Sequence, residues 1–169
     1  HLMIAHPQQY LEVFAKAGAA YITPHTDCIE GDAFVTLRKI KELGCKAGIA
    51  LSPSVPLQTI EYYLHLLDKV TIMIVDPGIA GQPVDSQMFV KIKQLAKIRK
   101  ERNLNFLIEA DGSMNKDLYK PLYESGADIV VLGPPALWNK DKDFAKCWDI
   151  MENELANELK NAKRDSCIS

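Results

Sequence analysis

The chain lacks the features that would mark it for a nucleic acid, a membrane or an oxidising compartment. Lysine and arginine number 20 against 22 aspartates and glutamates, a formal net charge of -2. Such a balance offers no basic field for a phosphate backbone and no polyanionic tail. The longest apolar stretch, "ADIVVLGPPALW" (127–138), is broken by Gly133, Pro134 and Pro135, which excludes a helical membrane span. Cysteine is scarce. Cys28, Cys45, Cys147 and Cys167 lie far apart with no CxxC spacing, which argues against a disulfide framework or a zinc knuckle. No basic stretch followed by an apolar one opens the sequence, so a signal peptide is not expected and a cytoplasmic protein is. No linker or low-complexity segment divides the 169 residues, and a single domain over 1–169 is the expectation.

What the sequence does contain is an alternation. "AYITP" (20–24), "KAGIALS" (46–52), "KVTIMIVD" (69–76), "NFLIEAD" (105–111) and "ADIVVLG" (127–133) are short and mostly apolar, as strands covered on both faces are. Between them run stretches of helical period: 7–17, 32–43 ending on Gly44, 55–67 opening near Pro56, 86–102, 115–125 and 142 to about 163. Within 32–43 the expected inner face carries Phe34, Leu37, Ile40 and Lys41. Trp138 and Trp148 are expected to pack within the last helices. "KAGAAYIT", "KELGCKAGIA" and "YESGADIVVLG" share one punctuation of helix end, glycine, then strand. Strands alternating with helices imply right-handed βαβ crossovers and a parallel sheet. Both an open doubly wound sheet and part of a (β/α)8 barrel meet that description. Both place ligands at the carboxyl ends of the strands.

Three strand ends carry chemistry. "EADGS" (109–113) puts Asp111 at the mouth, followed by Gly112 and Ser113. As a plain turn, Asp111 would satisfy local N–H groups. As a site, it is a metal ligand or a general acid/base, and the Gly112 and Ser113 N–H groups are phosphate donors. "DPGIAGQ" (76–82) exposes bare backbone around Gly78, Ile79, Ala80 and Gly81, a turn or an anion cradle. "VLGPPALW" (131–138) repeats the geometry at Gly133, but neither Pro134 nor Pro135 has an N–H to donate. His25 closes the first strand and can line the mouth. His6 precedes the helix-opening Pro7 and His65 falls within a helix, so both read as surface or core residues and not as ligands, and Met3 and Met73 read as core fillers.

Taken in order, "HLM", "VDPGIAGQP", "IEADGS" and "GADIVVLGPPALW" resemble the ribulose-phosphate 3-epimerase family of (β/α)8 barrels, through to about residue 155. "AGQP", "DGSMN" and "ALWN" are similar to its hexulose branch, which acts on D-allulose 6-phosphate. The resemblance implies an α/β (β/α)8 TIM barrel of the ribulose-phosphate-binding type, present here from about strand 3 to helix 8. It implies His1 and Asp111 as ligands of one divalent metal ion (Zn, Mn, Co, Fe or Mg). Asp111 is implied as one of two acid/base carboxylates. Phosphate is implied to bind at Gly78, Ile79, Ala80, Gly81, Gly112, Ser113, Gly133 and Pro134, with Met3 and Met73 lining the pocket. The implied partners are a small phosphorylated ketose and a second copy of the chain in a homo-oligomer. The family's first two βα units, with its second metal-binding His and the other Asp, precede "HLM". The 169 residues by themselves are therefore expected to be inactive as an epimerase. Pro134 removes a donor that the family uses for phosphate.

Overall fold

In the computed structural model, residues 1–78 and 81–166 are described, the last four of them by backbone alone. Five strands form one sheet: β1 (Tyr21–Ile22), β2 (Lys46–Leu51), β3 (Lys69–Met73), β4 (Leu107–Asp111) and β5 (Ile129–Val130). Every pairing is parallel, and the spatial order is the chain order, β1-β2-β3-β4-β5. A doubly wound sheet reverses its order at a switch point, whereas a barrel wall does not. The sheet has no reversal, and it is a barrel wall. An isolated parallel bridge from Leu2 to Pro24 sets the "HLM" segment beside β1 as a further extended neighbour.

The helices are α1 (Leu11–Lys16), α2 (Ala33–Glu42), α3 (Gln87–Glu101), α4 (Lys116–Ser125) and α5 (Phe144–Ser166). Ile49, Leu51, Val70, Ile72, Ile74 and Ile108 turn outward from the strands. They are fully or almost fully buried against Leu37, Ile40, Ile60, Ile92, Leu95 and Leu122. Burying each such side chain is worth about 1.5–3 kcal/mol, so this shell of aliphatic side chains is the main adhesive of the fold. The glycine punctuation seen in the sequence closes three helix-to-strand turns, where Gly18, Gly44 and Gly126 all sit at positive φ.

The amino ends of the strands carry a repeated device. Asp68, just before β3, accepts the Ala47 N–H at 2.8 Å and the Lys41 ammonium at 2.7 Å. Asp128, just before β5, accepts the Ile108 N–H at 2.8 Å and is bonded by the Arg99 guanidinium. Each aspartate thus ties the first residues of the preceding strand to a helix. These bonds lie at the end of the sheet away from the strand mouths, where they stabilise.

Three expectations change. The 55–67 stretch is helical as a 3-10 segment, Leu57–Leu66. Leu57, Ile60 and Tyr63 are buried at a period of three, which an i→i+3 helix stacks on one face. On α2 the buried residues are Ala33, Thr36, Leu37 and Ile40. Phe34 is 40% exposed and meets the edge of the Tyr63 ring, and Lys41 is drawn outward to Asp68. Trp138 and Trp148 are 53% and 43% exposed. They flank Phe144, which stacks on Trp138 at 5.3 Å, because Leu137, Cys147 and Met151 take the inward positions of this corner.

Candidate active site

The inner face of the wall is polar, unlike the outer one. The register sets Lys69 beside Leu107, Thr71 beside Glu109 and Met73 beside Asp111. Alternation along a strand therefore sends Lys69, Thr71, Met73, Glu109 and Asp111 to one side. Lys69 Nζ donates to Glu109 Oε1 at 2.7 Å, and the Thr71 hydroxyl donates to the same oxygen at 2.7 Å. Both charged side chains are buried, so the pair is satisfied within its own layer.

Asp111 stands one layer higher, at the strand mouth. Its Oδ2 lies 3.1 Å from His1 Nδ1, and His1 Nε2 lies 2.8 Å from His25 Nε2. The two imidazoles are stacked, with centroids 4.8 Å apart. Two facing ring nitrogens can bond only when one carries the proton. With His25 donating to His1 and His1 donating to Asp111, every contact is met with both rings neutral. Burial pushes the Asp111 carboxyl up, and the Lys69 ammonium below opposes the shift. Burial pushes His25 down, against the opposing pull of Asp27 and Asp111. A carboxylate raised toward neutral pH is better matched to proton transfer than one held at its ordinary value.

Above this pair opens a cavity of about 590 Å³, walled by the segments that follow β3, β4 and β5. Met3, Met73, Gly78, Gly81, Asp111, Gly112, Ser113, Gly133 and Pro134 all line it. The structure therefore gathers nearly every residue expected from the sequence, with His1 joined to the group through Asp111. Ile79 and Ala80 lie outside the described residues. The loop after β3 is held across its own mouth by Gln82, whose side-chain amide donates to the Asp76 carbonyl at 2.8 Å.

Gly112 is at φ +126, and a Cβ there would meet Val75 Cγ2 at 2.5 Å. Ser113 follows at φ +43, with its Oγ buried and without a partner among the described residues. An unpaired buried hydroxyl facing this turn is suited to an oxygen-rich ligand. At the third loop, Gly133 is extended and a π-type turn, Pro134–Trp138, follows. Pro134 and Pro135 leave Ala136 as the first residue of that turn with an N–H.

His1 and Asp111 fit a shared cation as two of its ligands. A separation of 3.1 Å suits two donors that each approach one ion to about 2.0–2.2 Å. Among the described residues no group of three or more His, Cys, Asp or Glu could hold a metal. Substrate oxygens, water or further side chains would have to complete the sphere.

Sequence reasoning weighed His25 only as a mouth residue and missed the Lys69–Thr71–Glu109 layer. Its signal was available in "KVTIM", where polar residues alternate with apolar ones in a strand otherwise fit for full burial. Lys91 was also missed. It is buried on α3, and its ammonium donates to the carbonyls of Ser52, Pro53 and Val55 at 2.9, 3.1 and 2.6 Å. It thereby ties down the loop that follows β2.

Parallel strands in chain order, with an acid–imidazole pair and glycine loops at their carboxyl ends, define an α/β protein of the (β/α)-barrel type. Solved structures agree on the fold. KGPDC from Streptococcus mutans superposes with a TM-score of 0.63 at 11% identity, covering 90% of this chain and 67% of that one. The 3-hexulose-6-phosphate synthase from Salmonella typhimurium gives 0.58 at 16% identity, covering 89% and 68%.

The chain belongs to the ribulose-phosphate 3 epimerase family, whose profile matches residues 1–137. It is 42% identical over 137 residues to ribulose-phosphate 3-epimerase from Synechocystis sp. (79% of this chain, 58% of the relative). With the protein of that name from Bacillus subtilis the identity is 37% over 146 residues (86% and 67%). With that from Escherichia coli K12 it is 34% over 156 residues (92% and 68%). The chain thus spans between about half and two thirds of the length of such relatives.

Proposed function

We propose that this chain is the phosphate-binding and half of the proton-transferring part of a metal-dependent ketose-phosphate 3-epimerase. The substrate pair proposed is D-allulose 6-phosphate and D-fructose 6-phosphate. One observation carries the reading. A half-buried carboxylate, Asp111, meets an imidazole at the floor of a cavity whose rim is three glycine-bearing loops. Phosphate is held by the backbone N–H groups around Gly78 and Gly81 and at Gly112–Ser113, and by the unpaired Ser113 hydroxyl. Met3 and Met73 supply a soft apolar wall beside the reacting carbons. Asp111 takes the proton from C3 on one face of the sugar, leaving an enediolate. Inversion requires a second acid on the opposite face. A divalent ion held in part by His1 and Asp111 would stabilise the developing oxyanion charge, by several kcal/mol on the general scale of such ions. With an ion at His1 Nδ1, the proton of that ring would sit on Nε2 and donate to His25 Nε2, which would fix the orientation of the ring.

A second reading keeps the chemistry and changes the sugar to D-ribulose 5-phosphate, giving D-xylulose 5-phosphate. The names of the relatives at 34–42% identity favour it. Both sugars should be assayed on the intact protein containing this chain, with C3 proton exchange followed by NMR in deuterated water. Turnover of D-allulose 6-phosphate is expected. Turnover of the pentulose alone would sink the hexulose assignment. Binding of both without exchange would leave a catalytically silent phosphosugar-binding barrel.

A further inference from the structure

Beside the first cavity lies a second, of about 320 Å³, at the carboxyl ends of β1 and β2. Met3, Pro77 and Gly78 line both, so the two cavities adjoin. Their chemistry differs. The first holds the three glycine loops with their backbone donors, and Asp76 and Asp111 are its carboxylates. The second presents the Asp27 carboxylate, Ser52, His25 and the Cys28 thiol. The Asp27 carboxylate accepts hydrogen bonds from hydroxyl groups. Burial and the neighbouring Asp27 carboxylate push the Cys28 thiol up, in keeping with a thiol and a carboxylate facing the same space.

A ketose phosphate has its own two ends, and the floor between the cavities fixes their direction. With phosphate on the glycine loops and C3 at Asp111, the chain continues through C2 to the terminal C1 hydroxymethyl group, away from the phosphate. The side of Asp111 remote from those loops is the side of His1 and His25, and His25 is a wall of the second cavity. Resting on the epimerase reading above, we infer that the second cavity is the subsite for the C1 hydroxymethyl end. Asp27 is its specificity-determining residue and accepts the hydrogen bond of the C1 hydroxyl. Asp27 is exposed, and its carboxylate accepts only the Thr26 hydroxyl, at 3.2 Å, among the hydrogen bonds described for it. It is therefore free to turn toward a ligand.

A matched pair of probes tests this: D-xylulose 5-phosphate and its 1-deoxy analogue, which differ only in the C1 hydroxyl. Affinities for the full chain are measured by calorimetry. Alkylation of Cys28 by iodoacetamide is followed by peptide mass spectrometry. One hydrogen bond to a charged group corresponds to about 10- to 100-fold in affinity. The 1-deoxy analogue should bind weaker by that factor, and Asp27→Ala should bind the two equally. D-xylulose 5-phosphate should protect Cys28, and inorganic phosphate, confined to the first cavity, should not. An undiminished preference for the hydroxyl in Asp27→Ala would overturn the assignment. So would tight binding that leaves Cys28 fully reactive, and the epimerase reading would survive either result. If neither sugar binds and inorganic phosphate does not bind either, both readings fall together.

Discussion

His1 Nδ1 stands 3.1 Å from Asp111 Oδ2, although 110 positions separate the two residues in the chain. The contact crosses the barrel mouth, from the extended segment beside β1 to the end of β4. No local turn or helix produces it. It exists because sequential parallel pairing curls the sheet and brings its far strands round toward each other.

Asp111→Asn keeps the side-chain volume and removes the base. General acid–base groups contribute about 10²- to 10⁴-fold in rate, and a fall in C3 proton exchange of that size is expected in the intact protein. The unfolding midpoint should change little, since the side chain is only half-buried. Exchange at the native rate in this variant would remove Asp111 from the chemistry.

Lys69→Met is expected to be severe. It leaves Glu109 charged and buried with only the Thr71 hydroxyl, and removing one member of a buried pair costs about 3–5 kcal/mol. The double variant Lys69→Met/Glu109→Leu should recover most of the loss. Denaturant unfolding of the wild type, both single variants and the double variant checks this. Additive losses would show that the two side chains are not coupled.

How much of this was legible from the residues follows from how local each feature is. The five strands were readable because burial on both faces demands apolar runs such as "KVTIMIVD". The choice of barrel over doubly wound sheet rests on strand order, which no single stretch encodes. The glycine loops could be found because backbone exposed to a ligand needs particular residue types, as at Gly112. His25 could not be assigned, since its role depends on His1 arriving from a neighbouring segment. Trp138 and Trp148 misled because hydrophobicity alone does not say which side of a helix is covered. Lys91 was hidden for the opposite reason: a lysine is read as solvated until three carbonyls are found around its ammonium.

Gly112→Ala and Gly133→Ala should separate two meanings of glycine in the same rim. At Gly112 a methyl group meets Val75 at 2.5 Å and must adopt φ +126. Backbone strain of this kind costs about 1–3 kcal/mol, so loss of stability together with phosphate affinity is expected. Gly133 is extended, and among the described residues a Cβ there has no neighbouring atom within 4 Å. Its alanine variant should unfold as the wild type does. Equal thermal shifts in the two variants would contradict this distinction.

The pH dependence of stability in the metal-free protein should carry the signature of His25. Burial holds its folded pKa below the ordinary 6.5, so the unfolded chain takes up the proton first as the medium is acidified. Stability from this group is fully present above pH 6.5. It is lost progressively as the pH falls through the folded value, where the imidazole finally charges in place. Below that point the loss levels off. Protonation adds an N–H at His25 Nδ1 and leaves the Nε2–H that donates to His1 in place, so what opposes it is the burial of the charge. His25→Gln removes the titrating group and should flatten this limb of the curve. Urea unfolding between pH 8 and 5, in a chelator, reads the difference directly. A wild-type limb as flat as that of the variant would show that the environment of His25 does not disfavour its charge.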